Sequence, residues 1–397
     1  MKLCVVSPFP PPVQGVGLYG RHLVEALAQS PVIEEITVLA DRGSAAAHDV
    51  RSGKLRVLRV WRRDDWRSAA RVVPWITRAR PDAVWFNLSL AMFGTQPWAA
   101  AVGLAAIPLV RTQGIRTITT LHELPHADQL APLGVPRPPL AGLSMRMALL
   151  TALGSTHVCV TLERYRRLLA QRYGARHVVH IPHGCFAPPR PWTAPRRADS
   201  LLMFGTYAPY KNLPLLLDAF QALAMYRPGA HLTIAGVDHP RFPGYLDSVR
   251  QRHGELPRVS WQGYVNEAEL RDLLARTAVV VAPYAATTGS SSVVYRAAAA
   301  GRPIVTSDLL DFRNLAEEQR LRVAFVRAND PRALTATLNS LLGDRADQRR
   351  IAEHNLRAVW RVTPEHTMRA YLALLQEQPS EGTAKSPEPA ARLPGAQ

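Results

Sequence analysis

Short apolar, β-branched runs alternate with helix-length segments along most of the chain, and few folds other than a parallel, doubly wound α/β sheet accept that alternation. In the first half, strands are expected at 2–7, 36–40, 83–88, 116–121, 157–161 and 178–182, with helices at 18–29 and 162–173. A second series follows. Its expected strands are 201–204, 231–235, 259–262, 278–282 and 303–306, and its helices 212–225, 267–276, 291–300 and 364–376. Between the two, residues 186–199 hold four prolines and three arginines with no periodicity, as a linker does. A chain of 397 residues is long for one core. The expected division is therefore a first α/β domain at 1–185, a linker at 186–199, a second α/β domain with the final helix at 200–376, and a disordered tail rich in Pro, Ala, Ser and Gly at 377–397.

The formal net charge is +17. A solvated arginine-rich surface, an anionic membrane surface and nucleic acid are the three readings. The arginines are scattered, with no RNA-binding aromatic signature and no helix-turn-helix pattern, which argues against nucleic acid. Residues 83–110 carry no charge, but Asn87, Gly94, Gln96, Pro97, Gly103 and Pro108 interrupt them. They parse as a strand, a loop and a buried helix at 98–107 rather than as one membrane span. Cys4, Cys159 and Cys185 are too far apart for a metal-ligand or disulfide pattern, so a reducing, cytoplasmic compartment is expected. No secretory signal is apparent, because prolines from Pro8 onward end the first apolar run. Two stretches could lie on a bilayer or pack on the first core: 56–80, with Trp61, Trp66 and Trp75 among arginines, and 138–153, apolar around Arg146.

The residues with chemical potential sit where strands end, which is where open α/β sheets bind ligands. Gly15, Gly17 and Gly20 spell G-x-G-x-x-G. In a dinucleotide fold those glycines follow the first strand at once. Here residues 8–14, with Pro10, Pro11 and Pro12, intervene, so a dehydrogenase is disfavoured. Gly15 and Gly17 still permit close backbone approach to a ligand. His122 closes the strand at 116–121. Gly205 and Lys211 follow the strand at 201–204, and Gly236 and Gly263 follow the next two. Gly289 precedes Ser290, Ser291 and Ser292 at a helix start, where hydroxyls and amides can cap the helix or face a phosphate. A plain glycine turn, a serine cap without ligand, a surface lysine and a structural histidine are the competing readings.

In this order the motifs resemble the retaining glycosyltransferases of family 4 over residues 1–376. The resemblance implies a GT-B fold, two Rossmann-like domains facing across a cleft, with the second holding a nucleotide-sugar donor and the first a glycan or lipid-linked acceptor. It places His122 near the donor sugar and Lys211 on the donor diphosphate. Gly15, Gly17, Gly205, Gly236, Gly289, Ser290, Ser291, Ser292 and Arg296 fall within its donor-binding loops. It implies transfer with retention, no metal and no cofactor beyond the co-substrate, in polysaccharide or glycoconjugate synthesis at the inner face of the plasma membrane. The sequence departs from the family at three positions. Thr206 stands where an arginine is expected, and Thr288 and Arg296 stand where two glutamates are expected. A guanidinium cannot accept ribose hydroxyls as a glutamate does. Two readings of Arg296 are open: it faces the cleft and partly replaces the positive charge missing at Thr206, or it points to solvent and the site is degenerate. The other readings are a non-catalytic GT-B subunit of a glycan-building complex and a membrane-surface scaffold.

Overall fold

The computed structural model describes residues 1–10, 15–43, 49–90, 92–94, 97–124, 133, 141–186, 188–287 and 289–377. Thr288 and the tail from 378 onward lie outside the described residues. Two sheets form the frame. The first contains β1 (Lys2–Val6), β2 (Glu35–Asp41), β3 (Val50–Ser52), β4 (Leu55–Trp61), β5 (Ala83–Leu88), β6 (Arg116–Leu121), β7 (His157–Val160) and β8 (Val178–His180). Its order is β3-β4-β2-β1-β5-β6-β7-β8, and only the β3–β4 pair is antiparallel. The second contains β9 (Ser200–Tyr207), β10 (His231–Asp238), β11 (Val259–Gln262), β12 (Val279–Ala282), β13 (Ile304–Ser307) and β14 (Ala324–Val326). Its order is β11-β10-β9-β12-β13-β14, parallel throughout.

Residues Leu3 to Val6 and the whole of β5 and β12 are buried, because helices cover both faces of a parallel sheet. The strand order reverses beside β1 in the first sheet and beside β9 in the second. At such a switch point neighbouring loops diverge and leave a crevice at the carboxyl ends.

β4 and the helix Ser68–Ala79 occupy the tryptophan–arginine stretch, where no regular element was expected. Trp61 is buried and donates from Nε1 to the Leu39 carbonyl, whereas Trp66 is 56% exposed. The charge-free stretch after β5 forms two short helices, Pro97–Leu104 and Ala106–Arg111, rather than one at 98–107. Among the described residues no helix is long and apolar enough to cross a membrane. The helix Ala141–Leu153 buries Ala148, Leu149 and Ala152 and exposes Leu143, Met147 and Leu150.

The two halves are tied together at several points. The amides of Glu163 and Arg164 donate to the Glu318 carboxylate, and Arg164 pairs with buried Asp311 at 2.7 Å. The final helix, Pro364–Gln376, was grouped above with the second half. It packs instead against the helix Gly15–Ala28 and the first sheet. Its Tyr371 hydroxyl lies 3.1 Å from the Tyr19 hydroxyl and 2.6 Å from Thr120 Oγ1, and Arg116 bonds the Leu375 carbonyl.

Candidate functional site

The carboxyl ends of both sheets open onto one cleft of 380 Å³. His122, Glu123, Gly15 and Val16 line it from the first half, and Gly205, Lys211, Gly236 and Ser290 to Ser292 from the second.

His122 owes its orientation to a residue that periodicity read only as an interruption. Asn87 is fully buried at the end of β5, and its Nδ2 donates to Ser7 Oγ and to the Val16 carbonyl, both at 2.8 Å. Those two bonds fix the amide, so Oδ1 faces His122 Nε2 at 2.6 Å and accepts its proton. Nδ1 then carries the lone pair. Burial, reinforced by His183, pushes the His122 pKa down to about 3, so the ring is neutral at any ordinary pH. Tyr19 stands edge-on to it at 4.7 Å. Gly20 leaves room for this arrangement, since a Cβ there would lie 2.7 Å from both Asn87 Nδ2 and Ser7 Oγ. Gly15 lies on the cleft wall with nothing within 4 Å of a Cβ. Gly17 is buried and faces Pro8, whose carbonyl would lie 3.1 Å from a Cβ. Its smallness serves the proline loop rather than the cleft.

Gly289 is where the halves touch. It forms an antiparallel bridge with Glu123, and a Cβ on it would lie 2.2 Å from the His122 carbonyl oxygen. The helix Ser292–Ala299 begins just beyond. Its cap residue, Ser291, makes no side-chain capping bond, so of the two roles open to the serines, capping is not the one Ser291 takes. The Val294 amide turns back to the Ser291 carbonyl, and the start of the helix, with Ser290 to Ser292, lines the cleft, where a helix N-terminus favours an anion.

Lys211 ends a short turn of 3₁₀ helix, Pro209–Lys211, after β9. Its Nζ sits 3.7 Å above the Tyr284 ring and 5.6 Å from that of Tyr210. Among the described residues no carboxylate pairs with it. Desolvation pushes its pKa down to about 7. Beside it, His239 is held at about 4 by burial and by Arg241, Arg63 and Lys211 itself. This end of the cleft is a concentration of positive charge. Gly205 and Gly236 face each other across the β9–β10 pair at φ of 128° and 139°. A Cβ on Gly236 would fall 1.8 Å from the Gly205 carbonyl oxygen, so no other residue fits there.

Arg296 also lines the cleft, but its charge is already engaged. Its guanidinium donates to both Glu267 oxygens, at 2.9 and 2.8 Å, and lies 4.5 Å from the Phe186 ring. The expectation that it replaces the cation missing at Thr206 does not fit this pairing. Thr206 lines the cleft as well. Glu123, His239, Glu267, Tyr210 and Tyr284 line the cleft without having been expected from the sequence, and Asn87 supports it from behind His122. Among the described residues no group of three or more His, Cys, Asp or Glu could hold a metal ion.

Residues 198–344 match the family model described as Glycosyl transferases group 1. The GT-B architecture is shared with solved structures along nearly the whole chain. Anabaena HepE, in complex with UDP and glucose, superposes with a TM-score of 0.68 at 18% identity, covering 94% of this chain and 99% of that one. Sucrose-phosphate synthase from Thermosynechococcus elongatus gives a TM-score of 0.72 at 17% identity, covering 94% and 98%. In sequence, a phosphatidyl-myo-inositol mannosyltransferase of Mycolicibacterium smegmatis is 30% identical over 186 residues, 45% of this chain and 46% of the relative. The chain thus spans about half the length of the curated relatives it matches.

Proposed function

We propose that the protein is a hexosyltransferase that moves a sugar from a nucleoside-diphosphate donor to a hydroxyl of a glycan or lipid-linked acceptor. The observation that carries this reading is Lys211, an ammonium against the Tyr284 and Tyr210 rings with no carboxylate partner among the described residues, at the carboxyl end of β9. A desolvated cation without a counter-ion is costly unless a ligand supplies one. A diphosphate fits, held between Lys211 and the uncapped start of the helix Ser292–Ala299. The group 1 match over 198–344 and the UDP and glucose in HepE support the donor class. The mannosyltransferase relatives, named for phosphatidyl-myo-inositol, support a lipid-linked acceptor.

Transfer proceeds with retention. The C–O bond to the diphosphate breaks, the acceptor oxygen forms the new bond on the same face, and its proton passes to a diphosphate oxygen. Lys211 stabilises the charge that develops on the leaving group. Neutral His122 has no proton to give from Nδ1, so it acts as a fixed acceptor for a sugar hydroxyl rather than as an acid. No protein-held metal takes part. The test is release of nucleoside diphosphate from UDP-glucose and GDP-mannose in the presence of phosphatidylinositol or a glycan acceptor. Turnover that survives a chelator is expected. Nucleotide binding without any turnover, with or without magnesium, would favour the non-catalytic subunit. Turnover that a chelator abolishes and manganese restores would overturn the metal-free mechanism.

A further inference from the structure

The cleft sorts its charges. Lys211, Arg241 and Arg63 crowd its cationic end, while the ion pair of Glu267 with Arg296 sits on the wall formed with Val237, Tyr264, Val265 and Leu270. That pair is asymmetric. The Arg296 side chain is 10% exposed and that of Glu267 is 41% exposed. Arg296 is pinned from behind by the Phe186 ring, which itself stacks on His22 at 4.7 Å and 17°. Glu267 is the first residue of the helix Glu267–Arg276, but it takes no part in capping it. Asn266 and Glu269 close that capping box between them. Each Glu267 oxygen receives one bond from Arg296 and keeps a further lone pair. The result is an ionised carboxylate presented to a cleft and held there from both oxygens by a less exposed arginine of the same wall.

Such a group selects a ligand segment bearing two neighbouring hydroxyl donors. We infer that Glu267 accepts the ribose hydroxyls of the donor nucleotide and that Arg296 is the positioning residue that fixes its carboxylate. This rests on the reading of the cleft as a nucleoside-diphosphate-sugar site, and it deepens that reading. The acceptor that the α-helical motif lacks at Arg296 is delivered from a different helix, through Arg296 itself. The diphosphate would extend from the ribose toward Lys211, and the base would lie along the wall of Val237 and Tyr264.

The experiment compares UDP and GDP with their 2′,3′-dideoxy counterparts by calorimetry. Wild-type protein should bind the ribose form about tenfold or more tightly, the worth of hydrogen bonds to a charged group. Glu267→Gln should bring that ratio toward one by weakening the ribose form alone. Arg296→Met should do the same while leaving the dideoxy form unaffected, and Arg296→Lys should restore part of the ratio. A merely structural salt bridge would weaken both forms equally. If wild type binds ribose and dideoxy forms alike, the inference fails while the donor reading stands, and no variant is needed to see it. A full ratio retained by folded Glu267→Gln also overturns it. If neither UDP nor GDP binds wild type, the donor reading fails and takes this inference with it.

Discussion

Lys211 titrates where most enzymes are assayed. Desolvation pushes its pKa down from the usual lysine value to about 7. A diphosphate binds the protonated form. Below pH 7 the charge is already present and affinity is insensitive to this group. As pH rises through 7, binding must take up a proton, and affinity should fall by up to about tenfold per unit. Lys211→Arg should abolish that slope, since a guanidinium stays charged. Lys211→Ala should weaken UDP or GDP by about 1–3 kcal/mol, as a lost charge-assisted bond does. A flat affinity profile from pH 6 to 9 in wild type would show that Lys211 does not meet the anion.

At the scale of elements, the site is made where strand ends meet, and its tolerances follow from how closely they meet. Gly289→Ala places a methyl against the His122 carbonyl and must open the contact between β6 and the loop before the helix Ser292–Ala299. A cost of about 1–3 kcal/mol is expected, read as a lower Tm together with reduced turnover. Gly15→Ala, with open space around it, should leave Tm unchanged. Equal Tm for both variants would remove the argument from close approach. The same distinction explains what could be read from sequence. β12 announces itself as a short apolar run, β6 as a β-branched run and β11 as an alternation of apolar with polar residues, and the final helix through its proline start. β4 does not, because Arg56 and Arg59 break its apolar run, and only in the fold does Arg59 find the Phe9 and Asp41 carbonyls that bury it. Asn87 is hidden for another reason. One polar residue in an apolar strand looks like a defect until its three partners, Ser7, Val16 and His122, are brought to it from distant parts of the chain. Glu267 and Arg296 are likewise joined only in space.

For the whole molecule, charge is distributed unevenly. Residues 1–185 hold 22 lysines and arginines against 11 acids. The exposed Leu143, Met147 and Leu150 lie in this half, on a helix free of acidic residues. We propose peripheral attachment of this face to an anionic bilayer, which would bring a lipid-linked acceptor to the cleft. Sedimentation with phosphatidylglycerol vesicles should exceed that with phosphatidylcholine vesicles at low salt and should weaken as salt is added. Equal sedimentation with both would count against it.

The return of the final helix to the first sheet makes the first half discontinuous in the gene. Tyr19 and Arg116 obtain these hydrogen-bond partners only when residues 364–376 arrive, after the second half has been synthesised, and Thr120, which accepts from Trp85 Nε1, then gains a second one. A fragment ending at 185 would therefore expose the surface around Trp85 and Tyr19 that Tyr371 covers. A cut confined to 188–199 would leave the halves still joined, because the peptide running through Val362 into the last helix forms a second tether beside Gly184 and Cys185. Any movement of one half against the other must bend two chain crossings at once, which restricts it to rotation about the line that joins them.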